Sequence, residues 1–249
     1  MFENMLMNQD VEIKTMDGDG AFSAFLAMPE KTAPAPAIII IQEIFGVNKN
    51  MREICAAFAR MGYLAVCPDL FWRQEPGIQL TDQTEAEWQK AFQLYQGFDI
   101  DRGIADLQAT LAFIRKHKSC NGRAGTLGYC LGGKLAYLMA AHSGADCNVC
   151  YYGVGIEEML DESASVTKPL LMHMAEKDKF VPPAARTKIL AALKGNKNIE
   201  AIVYPGVDHA FARVGGEHYN KASADKANAR TAAFLAKNLA GERARLTGS

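Results

Sequence analysis

The sequence predicts an α/β protein with a mostly parallel, doubly wound sheet flanked by helices. Three observations carry that expectation. Short runs rich in isoleucine, valine and leucine alternate along the chain with segments of helical period. Those runs are apolar on consecutive residues, as strands buried on both faces require, and strand–helix alternation implies parallel βαβ units. A strand-like run ending at Leu127 also passes into a helical pattern through a glycine cluster, Gly128-Tyr129-Cys130-Leu131-Gly132-Gly133.

Taken in order, residues 11–15 and 21–27 predict two short strands around the turn Asp17-Gly18-Asp19-Gly20. A proline- and alanine-rich link at 32–36 leads to a buried central strand at 37–42. A helix follows to about residue 61, then a strand at 63–67. The loop at 68–77 has the length and the aromatics, Phe71 and Trp72, of a segment that covers something. Helices are predicted at 83–97 and 99–117, broken near Gly97. A strand at 123–127 enters the glycine cluster. The helix at 131–142 places Leu131, Leu135, Leu138 and Met139 on one face. Strands at 148–152, 169–174 and 200–204 and helices at 182–193 and 225–239 complete the pattern. There is no internal repeat and no low-complexity linker, which predicts a single domain over 1–249. The charged tail, 241–249, is expected to be flexible.

Composition narrows the function. Hydrophobic residues make up 49 % of the 249, ample for a sizeable core, and the formal net charge is −1. That balance gives no electrostatic case for nucleic acid or an anionic membrane. The six cysteines are Cys55, Cys67, Cys120, Cys130, Cys147 and Cys150. The one close pair, Cys147 and Cys150, lies in a strand-like apolar segment, so no zinc site is expected. No signal peptide is recognised, and no apolar run approaches the roughly 20 residues of a membrane span. A reducing cytoplasm is the expected setting. Partners reduce to a small-molecule substrate, and the chain is expected to be a monomer or a small homo-oligomer.

The glycine cluster has the form of a nucleophile elbow, G-x-nucleophile-x-G, with sulfur in place of the usual hydroxyl. The sharp turn strains its central residue and leaves no room for a Cβ at the flanks. The helix behind it points its N-terminus at Cys130, which favours a thiolate and a developing oxyanion. Downstream, Asp178 follows the strand at 169–174 and His209 follows the strand at 200–204. In a parallel sheet, functional residues gather at the carboxyl ends of strands. Nucleophile, acid and histidine also occur in the chain order of the α/β-hydrolase fold. Histidine would take the thiol proton, and aspartate would orient the ring. Plainer alternatives exist: a buried cysteine in a βα turn, an N-cap before Phe180-Val181-Pro182, and a solvated loop histidine. His173, inside a strand, fits a satisfied core histidine. Glu43 follows the isoleucine strand, where a carboxylate needs a partner unless it caps the next helix. The loop after that strand supplies the second oxyanion donor of this fold, so the hole is expected at the backbone N–H groups of Ile44 and Leu131.

Five motifs together resemble the dienelactone hydrolase (carboxymethylenebutenolidase) family. They are Gln42-Glu43-Ile44-Phe45-Gly46-Val47-Asn48, Cys67-Pro68-Asp69-Leu70, the glycine cluster, Tyr151-Tyr152-Gly153 and His209-Ala210-Phe211-Ala212-Arg213. The similarity runs from about residue 11 to residue 238. The resemblance implies a cofactor-free hydrolase with a Cys130–His209–Asp178 triad. It implies that Glu43 is held by Arg213 until a substrate carboxylate draws the arginine away, freeing Glu43 to help deprotonate the thiol. One departure stands out. Family enzymes acting on chlorocatechol-derived dienelactone carry an arginine and, one turn later, a tyrosine on the helix after the Pro-Gly loop. Ungapped counting from Pro76-Gly77 finds Trp88 and Phe92 there. The expected activity is hydrolysis of a lactone or small carboxylic ester. The alternatives are an esterase for more apolar esters and a redox-reactive thiol protein without catalysis.

Overall fold

The computed structural model describes residues 7–30 and 33–240. The expected flexible tail at 241–249 and residue 32 of the predicted link lie outside the described residues. Among the described residues, eight strands form a mostly parallel sheet in the order β1-β2-β4-β3-β5-β6-β7-β8, flanked by helices. The predicted fold class is therefore observed. The chain divides into two compact units, the first ending at Gly125 and the second starting at Thr126.

The first unit begins with β1 (Met7–Lys14) and β2 (Ala21–Met28), paired antiparallel over eight residues each. That full register extends β1 upstream of its expected start. β2 pairs antiparallel with β4 (Leu64–Pro68), and β4 pairs parallel with β3 (Ala35–Ile41). The isoleucine run of β3 is wholly buried, as its unbroken apolar pattern requires. Three helices belong here: α1 (Lys49–Arg60), α2 (Glu85–Gln96) and α3 (Ile100–Lys116). Each is started by a side-chain cap, from Asn48, Thr84 and Asp99 respectively, accepting a first-turn N–H. The 68–77 loop is pinned down. Asp69 accepts the N–H groups of Phe71 and Gly77, and Asp106 of α3 receives both the Trp72 indole and the Arg73 guanidinium.

β5 (Cys120–Tyr129) begins in the first unit, ends in the second and leads into α4 (Leu131–His142). Then come β6 (Asn148–Tyr151), β7 (Leu170–Ala175), α5 (Pro183–Leu193), β8 (Ile199–Tyr204) and α6 (Lys221–Leu239). β6, β7 and β8 run parallel in consecutive register. Two features depart from expectation. α4 is buried from Leu131 through Ala140 rather than on one face, because tertiary packing encloses it. α6 starts four residues early, where Asn220 accepts the Ser223 N–H as its cap. Two short 3-10 segments, Ile156–Glu158 and Leu160–Ser165, were not marked by any periodicity.

His173 lies in the middle of β7, fully buried. Its Nδ1 is 2.9 Å from the Tyr204 hydroxyl and its Nε2 is 2.9 Å from Thr231 Oγ1 on α6. Tyr151 donates to Asn228 Oδ1, so the Thr231 hydroxyl donates to Tyr151 and accepts the ring proton from Nε2, leaving Nδ1 to accept from Tyr204, whose oxygen also takes a bond from Arg230. The chain continues through Thr231 and the Tyr151 hydroxyl to Asn228 Oδ1. Every member is satisfied with His173 neutral. Burial, assisted by the Arg230 charge, holds its pKa down at about 3.

Candidate active site

Cys130 occupies the turn between β5 and α4, with φ 56 and ψ −114. Few side-chain-bearing residues tolerate a left-handed φ, and such strain persists only where surroundings enforce it. The enforcement is visible. A Cβ on Gly128 would lie 1.9 Å from the Gly132 carbonyl oxygen, and one on Gly133 would lie 2.5 Å from the Tyr151 carbonyl oxygen. The Cys130 N–H donates to Tyr151 O at 3.0 Å, tying the turn to the end of β6. α4 begins at Leu131, whose N–H belongs to the first turn and has no acceptor within the helix. The buried thiol therefore sits at the positive end of a helix.

Asp178 and His209 meet beyond the ends of β7 and β8. His209 Nδ1 is 3.1 and 3.0 Å from the two Asp178 carboxylate oxygens. Asp178 Oδ1 also accepts the N–H groups of Phe180 and Val181, which locks the carboxylate in its turn. The helix behind it, α5, is preceded by Pro182 at its N-cap position, so capping that helix is not the role of Asp178. Asp178 and His209 are 3 % and 4 % exposed. Burial opposes charge on the His209 ring. Against it, the charge of Cys130, the hydrogen bond that Nδ1 donates to Asp178, a hydrogen-bonding contribution from Cys130 and the Asp178 charge push the pKa up to about 10. Nε2 nonetheless has no hydrogen bond of normal geometry among the described residues. Cys130 therefore acts on the ring chiefly through charge. With Nδ1 engaged by Asp178, Nε2 is the ring nitrogen that stays available for proton exchange.

Residues that sequence reasoning assigned no role surround this ring. Phe180 packs edge-on at 4.8 Å between centroids and is 40 % exposed, and Tyr152 packs edge-on at 5.0 Å. Among the described residues, three non-glycine positions have left-handed φ: Cys130, Tyr152 and Ala210. All three fall on the segments that carry or contact His209 and Cys130. Placement at a strand end was the available signal for Tyr152, and adjacency to Asp178 for Phe180. Arg213 follows in the same loop, half-buried, with its backbone N–H on Ala210 O.

The other candidates belong to the first unit. Glu43 and Ile44 are buried just after β3, in a loop held by Gln42, which donates to Glu43 O and accepts the Leu70 N–H. Trp88 and Phe92 lie on one face of α2. They stack at 5.5 Å, and Trp88 meets Phe45 edge-on at 5.0 Å while its indole N–H donates to Asp82 O. Phe92 is 37 % exposed.

A parallel sheet with a strained cysteine elbow after β5 and an aspartate–histidine pair after β7 and β8 defines an α/β hydrolase. The model of the dienelactone hydrolase family matches residues 22–239, and the chain belongs to that family. It is 42 % identical over 231 residues to carboxymethylenebutenolidase of Pseudomonas putida, covering 93 % of this chain and 97 % of that one. It is 54 % identical over 231 residues to a protein of Azospirillum brasilense, covering 92 % of this chain and 99 % of the relative. Among solved structures, a Klebsiella pneumoniae protein superposes with a TM-score of 0.83 at 27 % identity, covering 94 % and 99 % of the two chains. An esterase of Pyrococcus furiosus shares the fold at a TM-score of 0.70 and 17 % identity, with 94 % of each chain covered. The protein is thus a hydrolase of this family. Among the described residues, no helix is long and apolar enough to cross a membrane.

Proposed function

We propose that this hydrolase cleaves a lactone or small carboxylic ester through a thioester on Cys130, with His209 as base and Asp178 as orienter. The observation that carries the reading is the His209 ring: Nδ1 bonded to Asp178, and a pKa raised in part by Cys130. Once the thiol has given up its proton, the imidazole holds it firmly enough to deliver it later. The thiolate attacks the carbonyl carbon, and the carbonyl electron pair moves onto oxygen. The Leu131 and Ile44 N–H groups are the donors proposed for that oxyanion. Collapse breaks the carbon–oxygen bond, and the leaving oxygen takes the proton from His209 Nε2. Water, deprotonated by the same nitrogen, then attacks the thioester, releases the acid and returns the proton to sulfur. The route uses side chains, two backbone N–H groups and water.

Glu43 and Arg213 enter through the family resemblance, as the switch that responds to a substrate carboxylate. The family match spans both compact units, which supports reading them as one hydrolase domain. All six cysteines are free, the state that a reducing cytoplasm preserves. A second reading, preference for less acidic and more apolar esters, is favoured by the stacked Trp88 and Phe92, one of them well exposed. The decisive experiment is Cys130→Ala, assayed on dienelactone and p-nitrophenyl acetate, with mass spectrometry of the wild type under turnover. Loss of both activities and an acyl mass on Cys130 are expected. Full activity in the variant would remove the mechanism.

A further inference from the structure

His209 and Asp178 come from two different loops, and their hydrogen bond requires those loops to hold a fixed spacing. The Asp208 carboxylate bridges them. Its Oδ1 accepts the N–H of Lys179 at 3.1 Å, the residue after Asp178, and the N–H of His209 at 2.7 Å. One oxygen thus clasps the backbone beside both members of the pair. Its other oxygen faces the Lys179 ammonium at 3.3 Å and His218 Nε2 at 3.8 Å. The carboxylate side chain is 18 % exposed, so these bonds form largely away from water. Burial raises the Asp208 pKa, but the two N–H donors and Lys179 outweigh it and leave the group below its ordinary value, charged at neutral pH. A second bridge runs parallel: the Lys177 N–H donates to Val207 O at 2.9 Å. Backbone pairing therefore holds the approach to the loops, and Asp208 holds their tips.

We propose that Asp208 is a positioning residue for the hydrolysis, setting the distance between His209 and Asp178 by clasping the two loops that bear them. It touches neither substrate nor sulfur, and it acts through the orientation of the imidazole. The inference rests on the assignment of His209 as base.

Without the clasp, the Lys179 and His209 N–H groups turn to water and the loops gain freedom. A small misplacement of a catalytic group is costly to turnover even when binding is intact. Asp208→Ala removes the acceptor. Asp208→Asn keeps a carbonyl oxygen at the clasping position, loses the charge and turns the oxygen that faces Lys179 into an amide N–H donor. The expectation is a fall of roughly 10- to 100-fold in kcat for Asp208→Ala, with KM within about twofold. Asp208→Asn should retain at least about a third of wild-type kcat, because the Oδ1 acceptor remains. That rescue separates clasping from general charge effects. If circular dichroism finds Asp208→Ala unfolded, Asp208→Glu replaces it, since an added methylene shifts the acceptor off both N–H groups and should slow kcat similarly. Wild-type kcat in the acceptor-shifted variant, or equal losses in the Ala and Asn variants, overturns the proposal. Asp178→Asn is assayed alongside. If it is inactive while Asp208→Ala is normal, the clasp fails and the base assignment stands. If Asp178→Asn and His209→Ala are both fully active, the base assignment fails and the clasp falls with it.

Discussion

His173 and His209 are both buried histidines of the second unit, yet their rings are driven in opposite directions. His173 is held down at about 3 and His209 is pushed up to about 10. Burial penalises charge on both. The difference is in the partners. His173 faces two hydroxyls and lies near the Arg230 cation, whereas His209 faces the Asp178 carboxylate and the Cys130 sulfur. The surroundings of His173 are satisfied by a neutral ring, and those of His209 by a charged one. Burial alone does not mark a histidine as structural or reactive. The sign of the charge that its neighbours carry does so.

The largest test of the contrast is deletion of each ring. His209→Ala should lower turnover on the order of 10³-fold or more, and Asp178→Asn should also be severely slowed while the fold persists. Steady-state kinetics on any ester that the wild type cleaves reads this directly. An unchanged rate in either variant would undo the contrast between the two sites.

His173→Leu should do the reverse. It leaves the Tyr204 and Thr231 hydroxyls without their imidazole partner, at a cost of about 2–4 kcal/mol in stability. Turnover per folded molecule should stay within a few-fold. Denaturant unfolding alongside kinetics measures both, and a specific loss of kcat in well-folded protein would contradict the structural role.

Acid should expose the two signs. The folded pKa of His173 is depressed, so its contribution to stability is present above about pH 6.5 and is lost as pH falls toward 3. The slope is at most about 1.4 kcal/mol per pH unit. The folded pKa of His209 is raised, so its contribution is present below about 6.5 and is lost as pH rises through about 10. Unfolding curves from pH 4 to 10 should therefore fall off on both sides. In His173→Leu the acid-side slope should flatten selectively, and an identical slope in wild type and variant would assign acid sensitivity elsewhere.

The smallest expected effect sharpens selectivity instead of chemistry. Trp88→Arg should raise kcat/KM for a carboxylate-bearing lactone roughly 10-fold and lower it for an uncharged aryl ester, by adding a charge-assisted contact and removing aromatic surface. Parallel changes with both substrates would mean that the Trp88–Phe92 face does not contact substrate.

Much of this protein can be read from its residues in order. The consecutive apolar runs specify buried parallel strands because a strand covered on both faces has no solvent side to alternate with. The elbow is legible because its geometry demands glycine at Gly128, where an added Cβ would collide with backbone; the other such collision in the cluster falls at Gly133, one residue beyond the second flank of the motif. Asp178 and His209 were visible as polar residues at strand ends, in a chain order already suggestive of hydrolysis. Long-range proximity was not legible. No local pattern says that α4 is enclosed on every side, that Phe180 and Tyr152 flank one imidazole, or that Asp208 spans two loops. The sequence separates the two histidines by position, His173 inside a strand and His209 beyond one, but it carries no sign of the charge each ring prefers. Their opposite protonation preferences arise from charges brought together across about 30 to 80 residues of chain, and only the folded packing supplies those neighbours.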